Sequence, residues 1–98
     1  MNVYEEIQKL YVETPNRDFA ADLYYFLQCG YVFVTPTYAI IGKELDGGWF
    51  IHLAVGKGCM ARFVSLMPYY LPKIGWARKD GEIVWRTTEK VIKLCKNH

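Results

Sequence analysis

Residues 53–60 bring together the residue types with which proteins bind anions. An apolar run ending at Val55 leads into Gly56-Lys57-Gly58 and then into the start of a predicted helix. Glycines let a backbone approach a ligand closely, N–H groups at a helix start favour negative charge, and a lysine adds a cation. Because the spacing matches neither a P-loop nor Gly-x-Gly-x-x-Gly, the stretch predicts either a phosphate site or a plain tight turn. The candidate ligand-binding residues are Val55, Gly56, Lys57, Gly58, Cys59 and Arg62.

A second kind of chemistry would pair Cys59 with His52. A thiol beside a helix N-terminus and a lysine has a lowered pKa and becomes a better nucleophile. His52 lies seven residues upstream, in the strand that precedes the turn. No carboxylate in the sequence is placed to orient the imidazole. Two interpretations of His52 therefore stay open, a catalytic partner of Cys59 and a hydrogen-bonded structural histidine.

Aromatic and basic side chains interleave in the second half of the chain, as they do in proteins that bind single-stranded nucleic acid. Stacking rings and phosphate-binding cations on one sheet face would serve that function. The alternation within each predicted strand also mixes both kinds on both faces, which is typical of core aromatics with snorkelling basic residues. The residues concerned are Tyr69, Tyr70, Trp76, Arg78, Trp85 and Arg86.

The composition bounds these hypotheses. The chain has 98 residues, 52% of them hydrophobic, and a net charge of +2, which indicates one globular domain over 1–98 rather than a disordered chain. No apolar run reaches the roughly 20 residues of a membrane span, and no signal-peptide pattern opens the sequence. The three cysteines lack Cys-x-x-Cys spacing, which argues against a disulfide framework or a zinc site and favours the reducing cytoplasm.

The small net charge hides two oppositely charged halves. Residues 1–49 carry three basic and seven acidic side chains, whereas residues 50–98 carry nine basic and three acidic ones. Such a division indicates a basic binding face, or halves that attract each other within one chain or between two copies. A protein partner or self-association is therefore a hypothesis beside nucleic-acid binding.

Periodicity predicts two helices in the first part of the chain. Asn2 can cap the first helix, and apolar residues recur at helical spacing from Val3 to Tyr11. Thr14-Pro15 predicts the start of the second helix, since threonine is a favoured N-cap and proline a favoured first residue. Gly30 predicts its end.

The pattern then changes to the period of β-strands. Runs of β-branched and aromatic residues predict five strands, at 31–35, 38–41, 49–55, 74–79 and 82–86. Strict alternation along the third strand would place Trp49, Ile51, Leu53 and Val55 on one face and Phe50, His52 and Ala54 on the other. Asp80-Gly81 predicts a tight hairpin between the last two strands.

The remaining segments complete the predicted order. Residues 58–67 are apolar nearly all round and predict a short buried helix that stops at Pro68. Thr87 or Thr88 predicts the cap of a final helix. The order ααβββαββα defines an α+β fold, with a mixed, mainly antiparallel sheet, a β-α-β crossover and helices packed on the sheet.

The strand end at Leu53 to Val55, the glycine turn, the short helix and the returning strand resemble the core of GNAT-type acetyltransferases over about residues 31–79. In that family the turn binds the pyrophosphate of acetyl-CoA between splayed strands, so the resemblance implies acetyl-CoA as a cofactor. The family's longer loop is shortened here to Gly56-Lys57-Gly58, and a hairpin at Asp80-Gly81 replaces the family's next helix and catalytic tyrosine. The resemblance is thus to a truncated core, and the short length resembles that of small phage or mobile-element proteins.

Three functional hypotheses follow from these patterns. The first is a small, non-catalytic cytosolic binding or interaction module with an anion or nucleotide-phosphate site at the Gly56-Lys57-Gly58 turn. The second is a reduced GNAT-like acyltransferase that uses acetyl-CoA. The third is a nucleic-acid-binding domain that uses the basic second half.

Overall fold

Helices lie on both sides of a five-stranded sheet in the computed structural model of the chain. The structure describes residues 2–13, 17–56, 58–78 and 80–96, with the backbone alone at 59–61, 95 and 96. In this part of the chain, the elements are α1 (Val3–Val12), α2 (Phe19–Cys29), β1 (Tyr31–Val34), β2 (Tyr38–Leu45), β3 (Gly48–Gly56), α3 (Cys59–Leu66), β4 (Lys73–Ala77), β5 (Ile83–Thr87) and α4 (Thr88–Lys96). The predicted order and the α+β class are confirmed.

The two N-terminal helices begin at side-chain caps. The Tyr4 backbone N–H donates to the Asn2 side-chain oxygen at 2.7 Å, which confirms the predicted cap of α1. The Ala20 N–H donates to the Asp18 carboxylate at 2.9 Å, so Asp18 caps α2. The predicted start at Thr14-Pro15 is therefore wrong, because aspartate is the stronger N-cap and begins the helix later. Thr14 and Pro15 themselves lie outside the described residues.

The sheet is mixed, as predicted. Strands β1, β2 and β3 form an antiparallel meander, β4 and β5 form an antiparallel hairpin, and β3 runs parallel to β4. The turn between β2 and β3 holds Asp46 and Gly47 at φ 53° and 77°, the positive values that a two-residue hairpin turn requires. Strand β4 pairs with β3 only from Trp49 to Ile51, so the end of β3 extends beyond its parallel neighbour.

Side chains of β2 alternate between two packed clusters. Ala39 and Ile41 pack with α1 and α2, whereas Ile40 packs with α3 and α4. We call the side of the sheet that carries α1 and α2 the first face, and the opposite side the second face. The buried residues are Val3, Ile7, Phe26, Ala39, Ile41 and Leu53 on the first face, and Ile40, Trp49, Ile51, Phe63, Ile74 and Val91 on the second.

A β-bulge breaks the alternation that the sequence predicted for β3. Ile51 pairs with Gly42 and Leu53 pairs with Ile41, which leaves His52 as the extra residue between them. Trp49 and Ile51 consequently face the second cluster, but Leu53 and Val55 pack in the first. The predicted common face for these four residues is wrong, because a bulge turns two successive side chains to the same side. His52 and Leu53 both point to the first face.

The helices of the two oppositely charged halves lie on opposite sides of the sheet. The acidic half supplies α1 and α2 on the first face, and the basic half supplies α3 and α4 on the second. Among the described residues, the ion pairs of arginine join Arg17 to Asp22 and Arg78 to Asp80 and Glu82, so each stays within one half. No helix in the described ranges is long and apolar enough to cross a membrane.

Candidate binding site

The bulge carries His52 into a polar cluster between the sheet and the N-terminal helices. Tyr11 comes from the last turn of α1, Asp22 from the first turn of α2, and Arg17 from the residues just before α2. The His52 ring stacks on Phe26, with 4.8 Å between ring centroids. The His52 side chain is only 7% exposed, while Asp22 is 25% exposed. The cluster thus joins four segments at one buried imidazole.

Asp22 is the common acceptor of this cluster. The Tyr11 hydroxyl donates to Asp22 Oδ2 at 2.6 Å, and His52 Nε2 lies 3.0 Å from the same oxygen. Arg17 Nη2 lies 2.7 Å from His52 Nδ1, 2.8 Å from His52 Nε2 and 3.5 Å from Asp22 Oδ2. A carboxylate can only accept, so we assign the ring proton to Nε2, which donates to Asp22 and leaves Nδ1 to accept from the guanidinium. This assignment gives every polar atom of the imidazole a partner.

The electrostatics favour a neutral histidine. Burial, and then the nearby Arg17 charge, lower the pKa of His52 below its usual 6.5, because both disfavour the protonated ring. Burial, and then the hydrogen bond to Asp22, raise the pKa of the Tyr11 hydroxyl above its usual value. Near neutral pH, a neutral imidazole and a protonated phenol therefore lie beside Asp22 and Arg17.

This arrangement favours the structural interpretation of His52. Both ring nitrogens already have partners, so neither is free to take a proton from a thiol. The side chain of Cys59 lies outside the described part of the structure, and its pairing with His52 stays a prediction. The orienting carboxylate that the sequence did not reveal is Asp22. The sequence pattern that could have revealed Asp22 is an acidic residue on the apolar side of α2, three residues after Phe19 and four before Phe26.

Arg17 also borders two open spaces on the protein surface. A small cavity of about 130 Å³ lies over His52 and Leu53. A larger one of about 430 Å³, which we call the α1 groove, runs along α1 to the start of α2. The α1 groove is lined by Tyr4, Ile7, Gln8, Tyr11, Val12, Arg17, Asp18 and Phe19. It is a mainly apolar surface with the Arg17 guanidinium and the Asp18 carboxylate near one end.

The predicted glycine turn has a backbone explanation. Gly56 has φ +111°, and a Cβ there would lie 2.6 Å from the Thr37 carbonyl oxygen, so only glycine fits. Gly58 has φ +71° and forms the N-cap of α3, with open space around it. Lys57 lies outside the described residues. Both glycines are accounted for by the turn itself, and the anion site stays a prediction.

The other residues of that predicted site point to different sides. Val55 is half-buried and packs in the cluster of the first face. Arg62 is exposed on α3, and its guanidinium lies 4.6 Å above the ring of Tyr38, which packs in the second cluster. The structure therefore does not bring Val55 and Arg62 together.

The aromatic and basic residues of the hairpin also divide between the faces. Trp76 lies two residues after Ile74 in β4 and therefore on the second face, whereas Trp85 pairs with Gly75 on the first face. The two tryptophans form no common stacking surface. Arg78 is held by Asp80 at 3.2 Å and Glu82 at 2.8 Å. No three His, Cys, Asp or Glu side chains in the described ranges lie close enough together to hold a metal ion.

No protein-family model, curated protein or solved structure matches the chain. The resemblance to acetyltransferases thus stays a prediction, and the site has to be judged by its own side chains.

Proposed function

We propose that the chain is a small, non-catalytic binding module whose ligand occupies the α1 groove. The ligand has an apolar body, which lies along α1, and a carboxylate, which binds Arg17. The observation that carries this proposal is an open, mainly apolar groove bordered by a guanidinium that, among the described residues, is anchored through Nη2 alone. Apolar cavities with a few well-placed polar groups are the usual form of a ligand site.

The apolar wall of the groove supports the first part of the proposal. Val12 is 78% exposed and Tyr4 is 52% exposed, although both lie on a helix whose opposite side is buried. A ring contact between Tyr11 and Phe19, at 5.4 Å, links α1 to the start of α2. Apolar side chains that gather on the solvent side of a helix mark a surface that binds something.

The position of Arg17 supports the second part. Its Nη2 is anchored by His52, while the structure gives Nη1 and Nε no partner among the described residues. Arginine binds carboxylates through two parallel N–H groups, so the outer edge of Arg17 is available for such a ligand. The cluster around His52 fixes the direction of the guanidinium, and we assign it a positioning role.

A pair of matched probes tests this proposal. By calorimetry, 4-phenylbutyrate should bind at least about tenfold more tightly than 4-phenylbutanol, since a hydrogen bond to a charged group contributes roughly 1.5–3 kcal/mol. The Arg17→Gln variant should bind both probes equally. Arg86→Gln, which removes an exposed arginine on the other side of the sheet, is the control and should behave like the wild type. Equal binding of both probes by the wild type, or no binding, would contradict the proposal.

A second candidate function rests on the end of β3. Strand β4 leaves β3 unpaired on that side after Ile51, and Gly58 offers α3 no side-chain acceptor at its N-terminus. These features support an anion site of the kind that the acetyltransferase resemblance implies, with acetyl-CoA as the ligand of a reduced acyltransferase. A thermal shift with acetyl-CoA that disappears in Lys57→Glu would support it. The absence of a shift with millimolar acetyl-CoA would exclude it.

A further inference from the structure

The first face of the sheet is covered unevenly. On this side α1 packs mainly on β3 and α2 on β1 and β2, whereas α3 and α4 pack on the second face. The part of the first face formed by β4, β5 and the start of β3 is therefore covered by none of the four helices that the structure describes. The side chains that this part presents are exposed or half-buried, apart from its glycines.

A tryptophan lies flat on this uncovered surface. A Cβ on Gly75 would lie 2.6 to 2.9 Å from three atoms of the Trp85 indole, and a Cβ on Gly48 would lie 2.7 Å from the same ring. Glycines within strands mark places where another group approaches the backbone closely. Gly48 and Gly75 thus form a shelf on which the half-buried indole rests.

The charges on this surface are all positive. The charged residues of the five strands, as the structure describes them, are Lys43, Glu44, Lys73 and Arg86. Lys43 and Lys73 lie on the first face, whereas Glu44 and Arg86 lie on the second, by their pairing with Trp49 and Ile74. The Lys73 ammonium lies over the face of the Trp85 ring, 4.4 Å from its centroid.

The two lysines lie on either side of a second aromatic residue. Lys43 pairs with Phe50, which in turn pairs with Gly75 beneath the Trp85 ring. Lys43 donates to the Tyr25 hydroxyl at 2.7 Å, so it stands where the uncovered surface meets α2. We call the surface formed by Lys43, Phe50, Lys73 and Trp85 the open sheet face.

We propose that the open sheet face binds single-stranded nucleic acid: Lys73 moves from its position over the Trp85 ring to a phosphate, one base stacks on the indole in its place, and Lys43 binds a second phosphate. Flat aromatic rings beside cations on a sheet are the means by which proteins bind single strands without sequence preference. The two lysines, with no acidic side chain of the strands on the same face, complement a phosphate backbone. This site is separate from the α1 groove and does not depend on the function proposed for it.

Binding of fluorescently labelled oligothymidylate of about ten nucleotides tests this inference, because sites on sheets span a few to about sixteen nucleotides. The wild type should bind at low salt, and binding should quench the tryptophan fluorescence. Lys43→Gln and Lys73→Gln should each reduce the slope of log affinity against log salt by about 0.7, the value for one phosphate contact in single strands. Arg86→Gln removes the same charge from the opposite face and should leave the slope unchanged.

Two further variants separate stacking from folding. Trp85→Leu should weaken binding about tenfold, within the range for loss of one stacked base. Trp85→Phe keeps a ring on the glycine shelf and should retain most of the affinity while the quenching falls. Thymidine monophosphate tests whether the site binds a single nucleotide or a strand. We expect it to bind far more weakly than the oligonucleotide, and equal binding would contradict a strand site. No oligonucleotide binding at low salt, or an equal effect of Arg86→Gln and Lys73→Gln, would overturn the proposal.

Discussion

The two helical layers of this molecule are built differently. In the second layer, α3 and α4 pack Phe63 and Val91 against Ile40 and Ile74, and Phe63 and Ile74 are fully buried. In the first layer, α1 and α2 enclose a polar cluster around His52. The second layer joins helix to sheet mainly through apolar contacts, whereas the first also depends on hydrogen bonds.

The solvent-facing surfaces of the two helical layers also differ in polarity. Helix α4 exposes mainly charged side chains, Glu89, Lys90 and Lys93, together with Leu94 at 55%. Helix α2 instead exposes Tyr24 at 69% and Leu27 at 65%. The first layer has polar groups inside and apolar groups outside, which is not the arrangement that stability alone favours. Such departures are expected at sites where a protein binds a ligand. These differences support the proposal that the ligand binds at the first layer.

The largest effect on stability should come from the second layer. Phe63→Ala removes a side chain with 0% exposure that contacts Trp49, and should lower the free energy of unfolding by about 3–5 kcal/mol. Phe19→Ala, at a half-buried ring of the first layer, should cost clearly less. Urea unfolding of both variants checks this order. Equal losses would remove the distinction between the layers.

The polar cluster should give the next largest effect. Asp22→Ala leaves the Tyr11 hydroxyl and the His52 Nε2–H without their acceptor, and should cost about 1–3 kcal/mol. Asp22→Asn keeps one oxygen as acceptor and should cost less. An unchanged unfolding midpoint in Asp22→Ala would mean that the cluster contributes nothing to the attachment of the first layer.

The first layer should also make stability depend on pH. Because the folded-state pKa of His52 lies below its unfolded value, the stability that neutral His52 supports is fully present above about pH 6.5 and lost as the pH falls through the lower folded value. The temperature at the midpoint of unfolding should therefore decrease as the pH is lowered from about 7.5 to about 5. His52→Gln should show a flatter profile over the same range. Parallel profiles for both proteins would contradict this assignment.

The smallest effect should come from the exposed charges of the hairpin between β4 and β5. Glu82→Gln breaks an ion pair in which Glu82 is 74% exposed and Arg78 is 53% exposed. Such pairs contribute about 0–1 kcal/mol, and this loss should shrink further in salt. A loss as large as that of Asp22→Ala would show that burial does not distinguish the two sets of charges.

The sequence predicted most of the fold because its signals are local. The cap at Asn2 and the hairpin at Asp80-Gly81 each follow from a few neighbouring residues. Thr14-Pro15 predicted the wrong start of α2 because threonine followed by proline is also typical of a helix N-terminus. A stronger cap a few residues later decided where α2 begins.

The candidate site was beyond sequence reasoning because it depends on a single extra residue. The bulge at His52 leaves no mark in the composition of β3, yet it reverses the face of every later residue. Asp22 and Tyr11 reach His52 from positions 30 and 41 residues away along the chain. Gly75, a glycine within the predicted strand 74–79, was a signal of the shelf beneath Trp85, whereas Gly48 lay outside the predicted strand 49–55.

The central claim is that the first layer binds an apolar carboxylate in the α1 groove, and an NMR titration tests it most directly. Addition of 4-phenylbutyrate to the ¹⁵N-labelled protein should shift the amide signals of α1, Arg17 and Phe19 most strongly. It should leave those of α3 and α4 in place, and Arg17→Gln should reduce the shifts. Shifts concentrated at Gly56 and Gly58, or spread over the second layer, would contradict the claim.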